Sequence, residues 1–270
     1  MKDCKIRSTE ADKIQNVYKI NGEDVDFSAV NKTAWDYKSY EFWQLKYGPP
    51  QKFGRKIAEK PDFLLEKYSE FFESLENKSL INICGSNGKL AVACACKGAE
   101  VTVVDISEDG KRYAEELAQA AGTKIIYDSV DFLLYNSSEK YDIAFSYIGV
   151  LHYFSSINDF FKKVSLLVKD GGYYILSDFH PFLKIMFSEK ERSEGDYFDS
   201  TPFYGNMPYA EYFDNNEEVY PPCIYREYTL TEIINALLEN KFEIERFSEI
   251  PFKTEKYPCE FIIKARKKRG

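Results

Sequence analysis

The sequence predicts an α/β chain built on a doubly wound, mostly parallel sheet, and three observations predict it. Short apolar runs alternate with helix-like segments from 61 to 180, a pattern that means parallel strands with helices on both faces. The run Ile81-Asn82-Ile83-Cys84 ends in the tight turn Gly85-Ser86-Asn87-Gly88, and a second run, Val101 to Val104, ends in Asp105. That is the first half of a nucleotide-binding βαβ unit. Near the C-terminus two strand-like runs are joined by a short loop, which implies an antiparallel hairpin at one sheet edge.

The elements follow in order. Residues 1–60 are polar and aromatic, with Trp35, Tyr37, Tyr40, Phe42, Trp43 and Tyr47 before the break Gly48-Pro49-Pro50. They read as an N-terminal cap segment, packed on itself or closed over a ligand. Pro61 opens a helix whose apolar positions, Phe63 to Leu75, share one side. Strands are expected at 80–84, 100–105, 124–128, 141–147 and 172–178, and helices at 88–97, 107–121 and 156–169. The glycines of Lys169-Asp170-Gly171-Gly172 should end the last of these helices. Residues 181–228 form a long irregular insertion rich in rings, including Tyr197, Tyr204, Tyr209 and Tyr225. It reads either as a small satellite core or as a lid over substrate. Thr229 and Glu232 make a capping box for a helix at 230–240, and strands at 242–249 and 258–266 close the sheet. The main domain is thus expected over 61–270, interrupted by the insertion.

Composition narrows the function. A net charge of −8 argues against nucleic-acid binding, which needs a basic face. The basic cluster Lys264, Arg266, Lys267, Lys268, Arg269 reads as a solvated tail. No apolar stretch approaches the roughly 20 residues that span a bilayer, and Met1–Arg7 has no signal-peptide core, so a cytoplasmic protein is expected. The six cysteines (4, 84, 94, 96, 223, 259) contain no C-x-x-C pair, so no metal is expected. Cys94 and Cys96 read as small packing residues.

The turn after the first strand carries the chemistry. Gly85 lets the backbone approach a ligand, and the helix start offers free N–H groups to an anion. Asp105 can accept two hydrogen bonds from a ribose diol; its bland role would be to cap the next helix. The glycines read G-x-x-G rather than the dinucleotide fingerprint G-x-G-x-x-G. Asp131-Phe132 follows the third strand, and Gly149-Val-Leu151-His152-Tyr153-Phe154 follows the fourth. Only two histidines exist, His152 and His180. Each follows the C-terminal end of a central strand, where open α/β sheets bind ligands, although a lone histidine is more often structural.

Over residues 78–180 the chain resembles the class I S-adenosylmethionine-dependent methyltransferases. The resemblance implies a Rossmann-like methyltransferase fold with a seven-stranded sheet, an antiparallel C-terminal hairpin and a helical, irregular cap. Asn82 stands at the family's acidic position, and Cys84 and Ser86 at two of its glycine positions. The implied cofactor is S-adenosyl-L-methionine, contacted by Asn82, Gly85, Ser86, Asn87, Asp105, Ile106, Asp131, Phe132 and Tyr147. Asp105 would hold the ribose, Ile106 pack on adenine, and Asp131 face the adenine amino group. Trp35, Trp43, Tyr153 and Tyr204 are candidates for contact with the acceptor.

An oxygen or nitrogen acceptor must lose a proton, and imidazole has the matching pKa. His152, His180 and Asp178 are therefore the catalytic candidates, with Asp178 orienting the His180 ring or holding a substrate amine. The acidity favours a small-molecule acceptor. No Asn/Asp-Pro-Pro-Tyr/Phe tetrapeptide, the mark of amino-group methylation on adenine or glutamine, occurs. An NAD(P)-dependent oxidoreductase and a non-catalytic nucleotide-binding protein on the same fold are the alternatives.

Overall fold

The computed structural model describes residues 15–186, 196–213, 218–253 and 256–270; Met1–Arg7, with Cys4, lies outside them. A hairpin of β1 (Val17–Ile20) and β2 (Glu23–Asp26) leads into three helices, α1 (Phe27–Trp35), α2 (Ser39–Tyr47) and α3 (Pro50–Glu59). Asp26 caps α1 by accepting from the N–H groups of Ser28 and Ala29, which satisfies two of its orphan donors. The Gly48-Pro49-Pro50 break is real. Gly48 takes φ +84° and Pro50 sits in the first turn of α3.

The expected helix from Pro61 is shorter than its apolar pattern suggests. Only α4 (Asp62–Leu65) forms, followed by one 3-10 turn over Glu66–Tyr68. Tyr68, Phe71 and Leu75 are still buried, so the pattern recorded burial rather than a continued helix.

The sheet then alternates with helices: β3 (Ser79–Ile83), α5 (Lys89–Cys96), β4 (Glu100–Asp105), α6 (Glu108–Ala120), β5 (Ile126–Ser129), β6 (Tyr141–Ser146), α7 (Ile157–Leu167) and β7 (Val168–Phe179). Lys169 to Gly172 do not end α7. That helix stops at Leu167, and the four residues begin β7 beside a register shift against Tyr141 and Ile143. Gly171, at φ +79°, serves the strand's irregular start.

The insertion holds α8 (Leu183–Met186), the short antiparallel pair β8 (Phe203–Gly205) and β9 (Cys223–Tyr225), and a 3-10 turn at Ala210–Tyr212. The chain closes with α9 (Leu230–Glu239), β10 (Phe242–Pro251) and β11 (Pro258–Lys267). The capping box Thr229–Glu232 is formed on both sides.

One seven-stranded sheet runs in the order β10-β11-β7-β6-β3-β4-β5. β3, β4, β5, β6 and β7 pair in parallel, while β11 joins β7, and β10 joins β11, antiparallel. The order reverses direction at β3, so the crevice at the C-terminal ends of β3 and β6 is the topological switch point where such sheets bind ligands. Leu80, Ile81, Ile83, Val103, Val104, Phe145 and Ile175 are buried between the two helical layers.

The basic C-terminal residues are not a solvated tail. Lys264, Arg266 and Lys267 belong to β11; Lys267 donates to the carbonyls of Ser165 and Val168, and Arg266 pairs with Glu245 and Glu73. Among the described residues, Cys94 is buried and no group of acids, histidines and cysteines is arranged to hold a metal.

Candidate active site

A cavity of about 850 Å³ lies over the C-terminal ends of β3, β4, β6 and β7. Every residue that the sequence proposed for cofactor, substrate or catalysis lines it: Asn82, Gly85, Ser86, Asn87, Asp105, Ile106, Asp131, Phe132, Tyr147, Trp35, Trp43, Tyr153, Tyr204, His152, Asp178 and His180. Residues far apart in sequence thus share one space. Their roles differ from one another.

The turn after β3 takes an unusual backbone. Cys84 and Ser86, at the two glycine positions, both adopt φ +51°, the left-handed conformation that glycine takes without steric cost. A side chain on Gly85 would lie 2.5 Å from Asn82 Oδ1 and 2.6 Å from Val103 Cγ1. Gly85 is therefore required by packing against β3 and β4, as well as by its place on the cavity wall. Asn82 ties the strands together, donating to the Phe145 carbonyl at 3.1 Å.

Asp105 holds this turn in place. Its two carboxylate oxygens accept from Ser86 N–H at 2.8 Å and Ser107 N–H at 2.9 Å. Burial raises its pKa, against the pull of those backbone donors. A carboxylate has about four acceptor sites, so Asp105 keeps acceptor capacity for a ligand hydroxyl in the cavity. Asp131 accepts from Leu133 N–H at 2.8 Å, with Phe132 buried beside it. The Asn87 side chain is buried, its Oδ1 accepting from Lys89 N–H while Nδ2 has no partner among the described residues. A buried donor without a partner is uncommon, and this one belongs to a cavity-lining residue. A spare amide donor, two carboxylates with open acceptor sites and a left-handed turn suit an adenosyl ligand.

The cap is clamped to the same loop. Lys32 on α1 donates to the Ile106 carbonyl at 3.0 Å, Ser107 Oγ donates to the Trp35 carbonyl, and Asp36 accepts from Glu108 N–H. Trp35 stacks against Trp43 with ring centres 6.3 Å apart and meets Tyr153 edge-on at 6.0 Å. These rings form the roof. Tyr204, on β8, is exposed at the mouth.

Asp178 does not orient His180. Its carboxylate accepts from the N–H groups of Gly149, Val150 and Leu151 at 2.8, 3.1 and 2.8 Å. Its job is to fix the loop after β6, which carries His152. His180 is also not a free base. Its Nδ1 accepts from Phe182 N–H at 3.0 Å, so the ring's lone pair is occupied. Its Nε2 lies 3.0 Å from Glu249 Oε1. Burial lowers the His180 pKa, partly offset by Glu249.

His152 sits in the 3-10 turn Leu151–Tyr153, against Tyr153 at 4.3 Å and Tyr225 at 5.2 Å, with Phe179 parallel at 6.1 Å.

The sequence reading missed Lys89. It opens α5 and lines the cavity, yet is 8% exposed. Its ammonium donates to Tyr47 Oη at 2.7 Å and Tyr147 Oη at 3.4 Å. The signal was there, since a lone charge opens an otherwise apolar helix.

Comparison with known proteins agrees with this geometry. Residues 81–172 match the family model described as a methyltransferase domain. The ubiquinone biosynthesis O-methyltransferase of Bordetella avium (strain 197N) is 28% identical over 153 residues, 56% of this chain and 58% of that protein's length. Magnesium protoporphyrin IX methyltransferase from Synechocystis PCC 6803, solved with bound S-adenosylhomocysteine, superposes with a TM-score of 0.59 at 16% identity, covering 90% of this chain and 100% of that one. An S-adenosylmethionine-dependent methyltransferase from Methanosarcina mazei gives 0.57 at 20% identity, over 76% and 98%. These two solved structures share the fold. Residues 81–172 thus match a methyltransferase domain, carried on a fold shared with solved S-adenosylmethionine-dependent methyltransferases.

Proposed function

We propose that the protein transfers the methyl group of S-adenosylmethionine to an oxygen or nitrogen atom of a small-molecule acceptor. The observation that carries this reading is one continuous cavity joining the Gly85–Asn87 turn, Asp105 and Asp131 to His152 and a wall of aromatic rings. At about 850 Å³ it lies in the upper part of the usual ~300–1,000 Å³ range for small-molecule sites. That leaves room for a donor and a compact acceptor. The relative named as an O-methyltransferase supports an oxygen acceptor.

When bound, the donor supplies a sulfonium methyl carbon open to in-line displacement. The chain's own residues align the partners and keep water out. Asp105 accepts from the ribose hydroxyls, Asp131 faces the adenine amino group, and Ile106 and Phe132 flank the base. Residues 1–60 act as a cap whose Trp35 and Trp43 cover the reacting centre, with 61–270 as the domain beneath. His152 takes the acceptor's proton, on a loop held by Asp178. No described helix is long and apolar enough to cross a membrane, and we place the protein in the cytoplasm.

Calorimetry with S-adenosylhomocysteine tests the reading. Asp105→Ala should weaken binding about 10- to 100-fold, since a charge-assisted hydrogen bond contributes on the order of 1.5–3 kcal/mol. Asp131→Ala should cost less. Unchanged affinity in a folded Asp105→Ala protein, or binding of NAD in place of S-adenosylhomocysteine, would sink the assignment.

A further inference from the structure

Lys89 stands in a place that suits a lysine poorly. It is the first residue of α5, where the helix dipole presents its positive end and disfavours a cation. It is buried. Its hydrogen-bond partners among the described residues are two phenol oxygens, Tyr47 and Tyr147, with no carboxylate in reach. A buried charge is ordinarily paired.

The groups facing it come from three elements. Tyr47 and Lys46 lie on α2, Lys67 on the 3-10 turn after α4, and Tyr147 on the loop after β6. Two of the four are further cations. Neither tyrosine is a source of negative charge, since burial raises both phenol pKa values. Lys67 is already paired with Glu260 on β11, which also faces Tyr147. Lys89 has no carboxylate partner among the described residues, which leaves its place open to a ligand anion.

We propose that Lys89, with the hydroxyls of Tyr47 and Tyr147, is a receptor for a ligand carboxylate, and that binding there takes up a proton. The carboxylate can come from the amino-acid end of the methyl donor or from the acceptor. The first source rests on the methyl-transfer reading above.

The proton follows from linkage. Burial first, and then Lys46 and Lys67, push the Lys89 pKa down to about 7. A carboxylate against the ammonium favours the charged form and raises it again. Below about pH 7 the amine is already charged, so pH has little effect through this group. Above that, each bound ligand must bring a proton to Lys89, and affinity falls by up to about tenfold per pH unit until the bound-state pKa is reached.

The experiment is calorimetry on the full chain from about pH 6.5 to 9, comparing wild type, Lys89→Met and Lys89→Arg. The probes are S-adenosylhomocysteine, 5′-methylthioadenosine, which lacks the amino-acid end, and benzoate added with S-adenosylhomocysteine present. If the donor supplies the carboxylate, Lys89→Met weakens S-adenosylhomocysteine about 10- to 100-fold and leaves 5′-methylthioadenosine unmoved. If the acceptor supplies it, S-adenosylhomocysteine is unmoved and benzoate binding is lost.

Lys89→Arg keeps the charge at every pH, so it should retain affinity and lose the extra pH slope. The ligand's own α-amino group titrates with both proteins and cancels in that comparison. The inference is overturned if neither S-adenosylhomocysteine nor benzoate responds to Lys89→Met, or if wild type and Lys89→Arg show the same slope. Failure of S-adenosylhomocysteine to bind wild type would instead sink the methyl-transfer reading.

Discussion

Cys84 and Ser86 hold left-handed backbone at φ +51° without being glycine. For an L-residue that conformation costs roughly 1–2 kcal/mol, while a new glycine costs roughly 0.5–1 kcal/mol in unfolded-state entropy. Ser86→Gly should therefore be neutral to stabilising by up to about 1 kcal/mol in urea unfolding, because its left-handed backbone is a cost that glycine avoids. A clear loss of stability would mean that the Ser86 side chain does more than occupy the turn. The histidines separate at the same scale. His180 accepts a backbone N–H through Nδ1, whereas His152 lies among cavity rings on the loop fixed by Asp178. Turnover should fall roughly 100- to 10,000-fold in His152→Asn, the range for general-base catalysis, and only a few-fold in His180→Asn. Equal losses in both, or none in His152→Asn, would remove His152 from the role. The Asp178 contacts could not be read from sequence. Alternation along an extended strand puts Asp178 and His180 on one side, but says nothing of three N–H groups arriving from a loop 27 to 29 residues earlier.

Among the elements, strands and helices with strong periodicity were legible. The expected helices at 107–121 and 156–169 fall within two residues of α6 and α7 at each end, because Ser107 and Ser156 cap them as their positions suggest. Elements set by tertiary packing were not legible. The helix expected from Pro61 breaks after Leu65, and β7 begins at Val168, taking in a glycine pair that reads locally as a helix stop. The β1–β2 hairpin has the turn Asn21-Gly22, with both residues at positive φ, a strong hairpin signal that went unread because the flanking strands have only four residues each. The described part of the insertion packs around β8 and β9 and also lines the cavity. Tyr209 is fully buried and donates to the carbonyls of Ala34 and Tyr37 at 2.6 and 2.8 Å. Asn31 exchanges two hydrogen bonds with Ile224 on β9. Tyr209→Phe should leave two buried carbonyls without that donor and cost about 1–3 kcal/mol in chemical denaturation. A change under about 0.3 kcal/mol would show that insertion and cap are not joined through this hydroxyl.

Across the whole molecule, the cavity has a floor from the sheet and a roof from the segment before it. The floor was legible because strand ends and carboxylates recur at fixed positions. The roof was legible only as a cluster of rings, since nothing local says where a helix docks. The docking contacts are nonetheless specific: Lys32 to Ile106, Ser107 to Trp35, Tyr40 to Glu116, and Gly54 against α6, where any side chain would lie 2.5 Å from the Leu117 carbonyl. A ligand held by Asp105 and Ile106 therefore touches the very loop that anchors α1. Any species that binds the folded state alone stabilises it by RT ln(1 + [L]/Kd), about 2.7 kcal/mol at a hundredfold excess over Kd. If floor and roof open together, hydrogen exchange should slow up to about 100-fold in α1 and α2 as well as in the Gly85–Asn87 turn when S-adenosylhomocysteine is present. Because α3 rests on α6 rather than on the cavity, its amides should slow less. Protection confined to 83–106 and 131–132, with α1 and α2 exchanging as in the free protein, would show that the cap opens independently of the donor. The roles of Trp35 and Trp43 would then have to be sought in acceptor binding alone.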